Sequence, residues 1–341
     1  MKLFHLSHTD LDGYGCQLIS SRFIKNARFF NSNYGNEIHA RLKQIVAEIE
    51  TTCQKEEETL FLITDLNLTV QDCRFLDDKI RALKTNGFNL KFQLLDHHIS
   101  GEAQAKEFDW YKLDNFKCAT KLTYEYFGVI SDSMTLLVEA INAIDLWLEE
   151  EPLFEFGKTL MRLTTETREL HKLIFPNESV QYKLYALTRA KEFLGEELAN
   201  IKLDDAIHFI KKDFLKGDAK NDTIDNLSSR YVISLLSMKK DEFSVEYDGY
   251  VGFLTVSIGN VSVIANGFLT QNEEYDFFID VSSKGNVSLR SNNKADVSEI
   301  AKTLFGGGGH KNASGGRANT VKEFFTYAEY KKAIELIMKG V

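Results

Sequence analysis

The sequence predicts an α/β protein in which a mainly parallel sheet in the first half is followed by a helical connector and a smaller α/β unit. Three observations lead there. Short apolar runs alternate with helically spaced stretches through the first half. A stretch rich in Leu, Lys and Glu, from about Phe156 to Asp218, keeps helical spacing without strand-like runs. Strand-like runs return after the polar loop K-G-D-A-K-N-D-T, Lys216 to Thr223. A chain of 341 residues is also longer than one hydrophobic core usually serves. The expected division is therefore residues 1–155, a connector over 156–223, and a second domain over 224–341.

In chain order, Lys2–Ser7, Thr59–Asp65 and Asn89–Asp96 read as strands, and Gly13–Lys25, Ile38–Glu50 and Val70–Asn86 as the helices between them. A further helix is expected from Ser133 to Glu150, carrying Asp145. In the second domain the strand-like runs are Phe243–Tyr247, Phe253–Ser257, Tyr275–Val281 and Asn286–Arg290, and a helix from Val297 to Leu304 runs into G-G-G-G-H. Two first-half strands end in aspartate, and open α/β sheets bind ligands beyond the carboxyl ends of their strands.

Composition excludes several classes. Apolar residues make up 43% and charged residues 27%, as in an ordinary globular enzyme. No apolar run reaches membrane-spanning length and the N-terminus lacks a signal-peptide core, so a cytoplasmic protein without a membrane partner is expected. Cys16, Cys53, Cys73 and Cys118 are scattered, which fits reduced thiols rather than a disulfide framework. The net charge of −9 argues against a protein that coats long nucleic acid. Charge is uneven, however: Val281 to Val341 holds ten Lys/Arg and five Asp/Glu, a balance of +5 that leaves −14 for the remainder. An acidic body with a basic C-terminal segment suits metal ions in one part and substrate phosphates in the other.

Four fragments carry the chemistry: H-T-D-L-D-G (His8 to Gly13), T-D (Asp65), D-H-H (Asp96 to His98) and A-I-D-L-W (Asp145). In an extended segment His8, Asp10 and Asp12 would point the same way, presenting an imidazole and two carboxylates to one site. Clustered carboxylates raise one another's pKa unless cations neutralise them, and mixed imidazole and carboxylate donors favour Mn2+, Fe2+, Co2+ or Zn2+ over an all-oxygen Ca2+ or Mg2+ site. Each fragment alone is common. Their joint occurrence in order, at strand ends, is not.

The fragments resemble the successive motifs of the DHH phosphoesterase superfamily, named for Asp-His-His. The run R-S-N-N-K-A-D-V-S-E-I-A-K-T-L-F-G-G-G-G-H-K-N-A-S-G-G, Arg290 to Gly316, resembles the DHH-associated C-terminal domain. The resemblance implies two divalent metal ions, with Mn2+ favoured. It gives Asp10, Asp65 and His8 to one ion and Asp12, Asp65, His97 and Asp145 to the other, with Asp65 between them. It further implies that Asp96 orients a histidine, that His98 faces the reacting phosphate, and that Arg290, Gly307, Gly308, Gly309 and His310 hold substrate phosphate. The expected activity is metal-dependent hydrolysis of short oligonucleotides to mononucleotides, as in nanoRNases of the oligoribonuclease B type. Its alternatives are a linear or cyclic dinucleotide phosphodiesterase or an adenosine 3′,5′-bisphosphate phosphatase. A non-catalytic nucleotide sensor fits less well, since a pure binding module has no need of every acid. The expected partner is short RNA or a dinucleotide, with a homodimer left open.

Overall fold

The computed structural model describes residues 1–128 and 131–340. They form two compact units, one built from residues 1–167 and 180–210, the other from residues 168–179 and from 211 to the C-terminus.

The first unit runs β1 (Lys2–Ser7), α1 (Leu11–Phe23), β2 (Ala27–Asn31), α2 (Asn36–Thr52), β3 (Thr59–Thr64), α3 (Val70–Thr85), β4 (Leu90–Asp96), α4 (Glu102–Glu107), β5 (Tyr111–Leu113), α5 (Ala119–Phe127), α6 (Asp132–Asp145) and α7 (Phe154–Glu166). Its five strands lie in the order β2-β1-β3-β4-β5, every neighbouring pair parallel. Alternate side chains of the central strands feed two faces. Phe4, Leu6, Phe61 and Ile63 pack with Ile38, Leu42, Ile45 and Leu76 of α2 and α3, while Leu3, Leu60 and Leu62 point the other way. Both faces being covered, these strands are nearly continuous apolar runs, which is why the sequence reveals them. The edge strands β2 and β5 escape that reading: β2 carries Arg28 and Asn31, and β5 has three residues. The helix expected to run to Glu150 stops at Asp145, and Trp147 just beyond it turns in the left-handed region at φ 55°.

The chain then continues through α8 (Pro176–Ala190) and α9 (Ala199–Leu215). Val180, Ala186, Leu187, Leu203 and Ile207 of these helices join the core built by α1, α6 and α7. No helix among the described residues is long and apolar enough to cross a membrane.

The second unit contains α10 (Ile224–Met238), α11 (Lys240–Phe243), β6 (Ser244–Tyr247), β7 (Tyr250–Val256), α12 (Val261–Gln271), β8 (Phe277–Val281), β9 (Asn286–Ser291), α13 (Val297–Phe305), β10 (Gly308–His310), β11 (Ala313–Arg317) and α14 (Tyr327–Met338). Its sheet has the order β10-β11-β9-β8-β7-β6; β7 and β8 pair in parallel, the other neighbours antiparallel. Rings of Phe243, Phe253, Phe268, Tyr275 and Phe278 pack together beneath it.

Candidate metal centre

Strand order places β2 on one side of β1 and β3 on the other, so the chain reverses direction across the sheet at β1 and β3. Their carboxyl ends form the crevice that such a reversal opens. The residues after β1 do not stay extended, however, and the expected row of His8, Asp10 and Asp12 along one strand face is corrected. Strand β1 ends at Ser7, and Asp10 is the N-cap of α1, its carboxylate accepting from the Gly13 N–H at 3.0 Å. A helix start here satisfies an otherwise orphaned donor, and it throws Asp12 into the first helical turn. Gly13 permits the tight return, because a Cβ there would lie 2.4 Å from the His8 carbonyl oxygen.

Asp65 follows β3 with φ 57°, a left-handed backbone uncommon outside glycine, and is 1% exposed. Its Oδ1 lies 3.4 Å from His97 Nε2, and its Oδ2, 3.8 Å from His8 Nδ1, has no hydrogen-bond partner. Asp12 is fixed from outside the cluster: the backbone N–H groups of Ala119 and Thr120, at the start of α5, each donate to one of its oxygens at 2.7 Å. His97 Nε2 stands 3.8 Å from Asp12 and 3.5 Å from Asp145. His8 Nδ1 is 2.7 Å from Asp10 Oδ2. The donor atoms thus gather into overlapping sets, His8 with Asp10 and Asp65, Asp12 with His97 and Asp145, and Asp65 with His97 and His98, each set within 4.8 Å. The segments that follow β1, β3 and β4 meet there with the last residue of α6.

The electrostatics of this cluster call for cations. Burial, and then the neighbouring charges of Asp12 and Asp10, push the Asp65 carboxyl well above the usual carboxylate range. The same causes raise Asp145 to about 9. Burial lowers His97, which favours the neutral imidazole, the form that ligates metal. Asp10 differs: burial opposes its charge, but the hydrogen bond and charge of His8 and the Gly13 N–H hold it at about 2. A buried carboxylate oxygen without a partner, among acids that resist joint ionisation, fits a site for divalent metal.

Beside the cluster, Asp96 Oδ1 is 2.7 Å from His98 Nδ1, and its Oδ2 accepts from the Tyr111 hydroxyl at 2.6 Å. Burial alone would lower His98, yet the Asp96 hydrogen bond and charge outweigh it and raise the imidazole above its ordinary value. Tyr34, in the loop between β2 and α2, lies over both outer histidines. Its hydroxyl is 3.2 Å from His98 Nε2 and its ring centroid 4.9 Å from that of His8. Tyr34, Tyr111 and the Ala119–Thr120 amides escape the sequence reading. A lone tyrosine or a backbone N–H carries no motif, and each comes to the site by tertiary packing.

The second unit brings Arg290 and His310 into one row. Ala313 of β11 pairs with His310 on one side and Arg290 on the other, so the two cationic or donor side chains flank a methyl group on the same face. Arg290 donates to the Ser262 hydroxyl at 3.0 Å and to the Leu289 carbonyl at 2.8 Å. The glycine run is not a free loop: Gly306 caps α13 at φ 57°, and Gly308–His310 is the edge strand of a hairpin. A Cβ on Gly307 would lie 1.9 Å from the Gly315 carbonyl oxygen, whereas one on Gly308 would meet nothing. Close strand packing, more than approach to an anion, requires Gly307.

Residues 254–337 match the DHHA1 domain. Over 348 aligned residues the chain is 44% identical to a Helicobacter pylori protein named 3′,5′-cyclic-nucleotide phosphodiesterase, covering 100% of this chain and 99% of that one. A crystal structure of an uncharacterized protein from Helicobacter pylori G27, also 44% identical, superposes with a TM-score of 0.92 over 99% of both chains. Oligoribonuclease NrnB of Bacillus subtilis is 24% identical over 330 residues, covering 92% of this chain and 72% of the relative. The chain belongs to the DHH superfamily of phosphoesterases, with a DHHA1 domain as its C-terminal part. Within that superfamily it is a phosphodiesterase, a hydrolase with candidate acid and histidine metal sites.

Proposed function

We propose that the protein hydrolyses a 3′,5′-phosphodiester bond in a small nucleotide with two divalent ions, Mn2+ first among them. The supporting observation is the pair of donor sets that meet around Asp65, whose Oδ2 is buried and unpartnered. His8, Asp10 and Asp65 would hold one ion, and Asp12, His97 and Asp145 the other, with Asp65 shared. Bound there, such ions supply Lewis acidity toward the phosphoryl oxygens and a nucleophilic water at neutral pH. The chain supplies the rest. His98, whose proton affinity is raised by Asp96, presents an N–H donor to phosphoryl oxygen as negative charge grows there. Arg290 and His310, with the amides around Gly308 and Gly309, hold a phosphate of the substrate; a guanidinium does so through two parallel bonds.

Two substrate readings have separate support. The relative that matches along its whole length is named for cyclic nucleotides. The Bacillus subtilis relative is named an oligoribonuclease, in keeping with release of mononucleotides from short RNA. Such substrates are intracellular, and we place the enzyme in the cytoplasm. Incubating the full chain with Mn2+ and, separately, 3′,5′-cyclic AMP, di- to pentanucleotide RNA, linear dinucleotides and adenosine bisphosphate tests the reading. Metal-dependent turnover of a diester, abolished by chelation, is expected. Failure to cleave every diester in the presence of metal would overturn it.

A further inference from the structure

Asp12 and Asp145, two of the candidate donors that meet at His97, stand on different helices, α1 and α6, yet one donor atom from each of the three residues lies within 4.8 Å of the others. The first turn of α5 links the two helices. Its Ala119 and Thr120 N–H groups each donate to one oxygen of Asp12 at 2.7 Å, and the Thr120 hydroxyl donates to the Asp12 carbonyl at 2.7 Å. The amide just before them, the Cys118 N–H, donates to Asn142 Oδ1 at 2.9 Å. Asn142 stands on α6 three residues before Asp145, so the two side chains share one side of that helix. Three consecutive amides thus tie Asp12 to the helix that carries Asp145.

This bridge is buried and closely packed. Asn142 is 7% exposed, and Cys118, Ala119 and Thr120 are fully buried. A Cβ on Gly15 of α1 would lie 2.2 Å from Thr120 Oγ1 and 3.0 Å from Ile141 Cδ1, so α1, α5 and α6 meet there without slack. A buried N–H left without an acceptor is destabilising, and water does not reach the Cys118 amide to replace Asn142. Removing the Asn142 oxygen therefore forces the start of α5 to shift toward some other acceptor, and the two amides that hold Asp12 shift with it.

We propose that Asn142 is a positioning residue of the candidate metal centre: through the first turn of α5 it sets where Asp12 stands relative to Asp145, and so sets the affinity for the ion that these two acids and His97 would share. It rests on the two-ion reading of the cluster given above, and Asn142 itself belongs to neither donor set. Residues that orient metal ligands from behind typically change metal affinity about ten- to a hundredfold when removed. His8 and Asp10 make no hydrogen bond to α5, so the two ions should respond unequally.

Calorimetric titration of Mn2+ into the metal-free full chain tests this without requiring catalysis. Wild type should take up two ions. Asn142→Leu should bind one of them as wild type does and the other about ten- to a hundredfold more weakly, with circular dichroism unchanged. Asn142→Asp, which keeps an acceptor for the Cys118 N–H, should recover about fivefold or more of that loss. Ile141→Val, a core change one residue away that spares the bridge, should lower the urea midpoint and leave both affinities as they were. Wild-type affinities for both ions in folded Asn142→Leu would overturn the proposal. An equal loss in Ile141→Val, or an Asn142→Asp no better than Asn142→Leu, would overturn it as well. Where Asn142→Leu folds poorly, Asn142→Ala, which removes the acceptor with less bulk, decides in its place. Fewer than two ions bound by the wild type would instead sink the two-ion reading, and the proposal with it.

Discussion

Asp65 concentrates the site's chemistry in one residue. Its left-handed backbone turns the carboxylate off the end of β3 into the acid cluster, and no adjacent side chain repeats its position between the donor sets. Asp65→Ala is expected to abolish hydrolysis and to reduce bound metal at both sites while the fold survives, since the side chain contributes to no apolar packing. Metal analysis beside circular dichroism checks this, and full metal content with normal turnover would remove Asp65 from its shared role. His5 offers a test of a different kind. It is wholly buried, with Nδ1 2.8 Å from the Ser20 hydroxyl and Nε2 2.8 Å from that of Thr64, and burial lowers its pKa from 6.5 to about 3. Below pH 6.5 the unfolded chain takes up a proton that the folded ring refuses, so stability present above 6.5 is lost as pH falls toward 3. One such proton is worth roughly 1.4 kcal/mol per pH unit. Urea midpoints from pH 7 to pH 5 should fall more steeply for wild type than for His5→Asn; parallel slopes would refute the assignment.

At the scale of elements, two helix starts set the cluster. The beginning of α1 supplies Asp10 as cap and Asp12 in the first turn, and the beginning of α5 holds Asp12 by two amides. Such N-termini favour negative charge, which offsets part of the repulsion among the acids. The turn before α1 has no room for a side chain at Gly13. Gly13→Ala should therefore displace the His8 backbone, lower stability by about 1–3 kcal/mol and weaken metal binding with it. Chemical denaturation together with metal titration reads both effects, and a variant that binds metal normally would show that the turn yields without moving Asp10 or Asp12.

At the scale of the molecule, the candidate metal donors belong to the first unit, and Arg290 and His310, proposed to hold phosphate, belong to the second. Arg290→Ala and His310→Ala are expected to leave metal content unchanged while lowering kcat/KM on short nucleotides about ten- to a hundredfold, the worth of one charged hydrogen bond. A simple chromogenic diester, lacking a further phosphate, should suffer less. Equal losses on both substrates would put Arg290 at the scissile phosphate, and no loss on either would remove the glycine-rich hairpin from the reaction.

The alternation of apolar runs and helical spacing was enough to predict a parallel α/β first half and a smaller α/β second part, because buried parallel strands must be apolar on both faces. The short edge strands β2 and β5 were not legible, since an edge needs neither length nor apolarity. The joint occurrence, in order, of H-T-D-L-D-G, T-D, D-H-H and A-I-D-L-W made these fragments candidates for the site, and the family resemblance added the glycine-rich run, because no single fragment is distinctive by itself. How they meet was decided by tertiary structure. Helix capping, not strand alternation, orients Asp10 and Asp12, and the α5 amides that hold Asp12 lie more than a hundred residues away in sequence. Tyr34 and Tyr111 come to the candidate site through neighbours that no local pattern names, since hydrogen bonds and ring contacts depend on distance in space and not on separation along the chain.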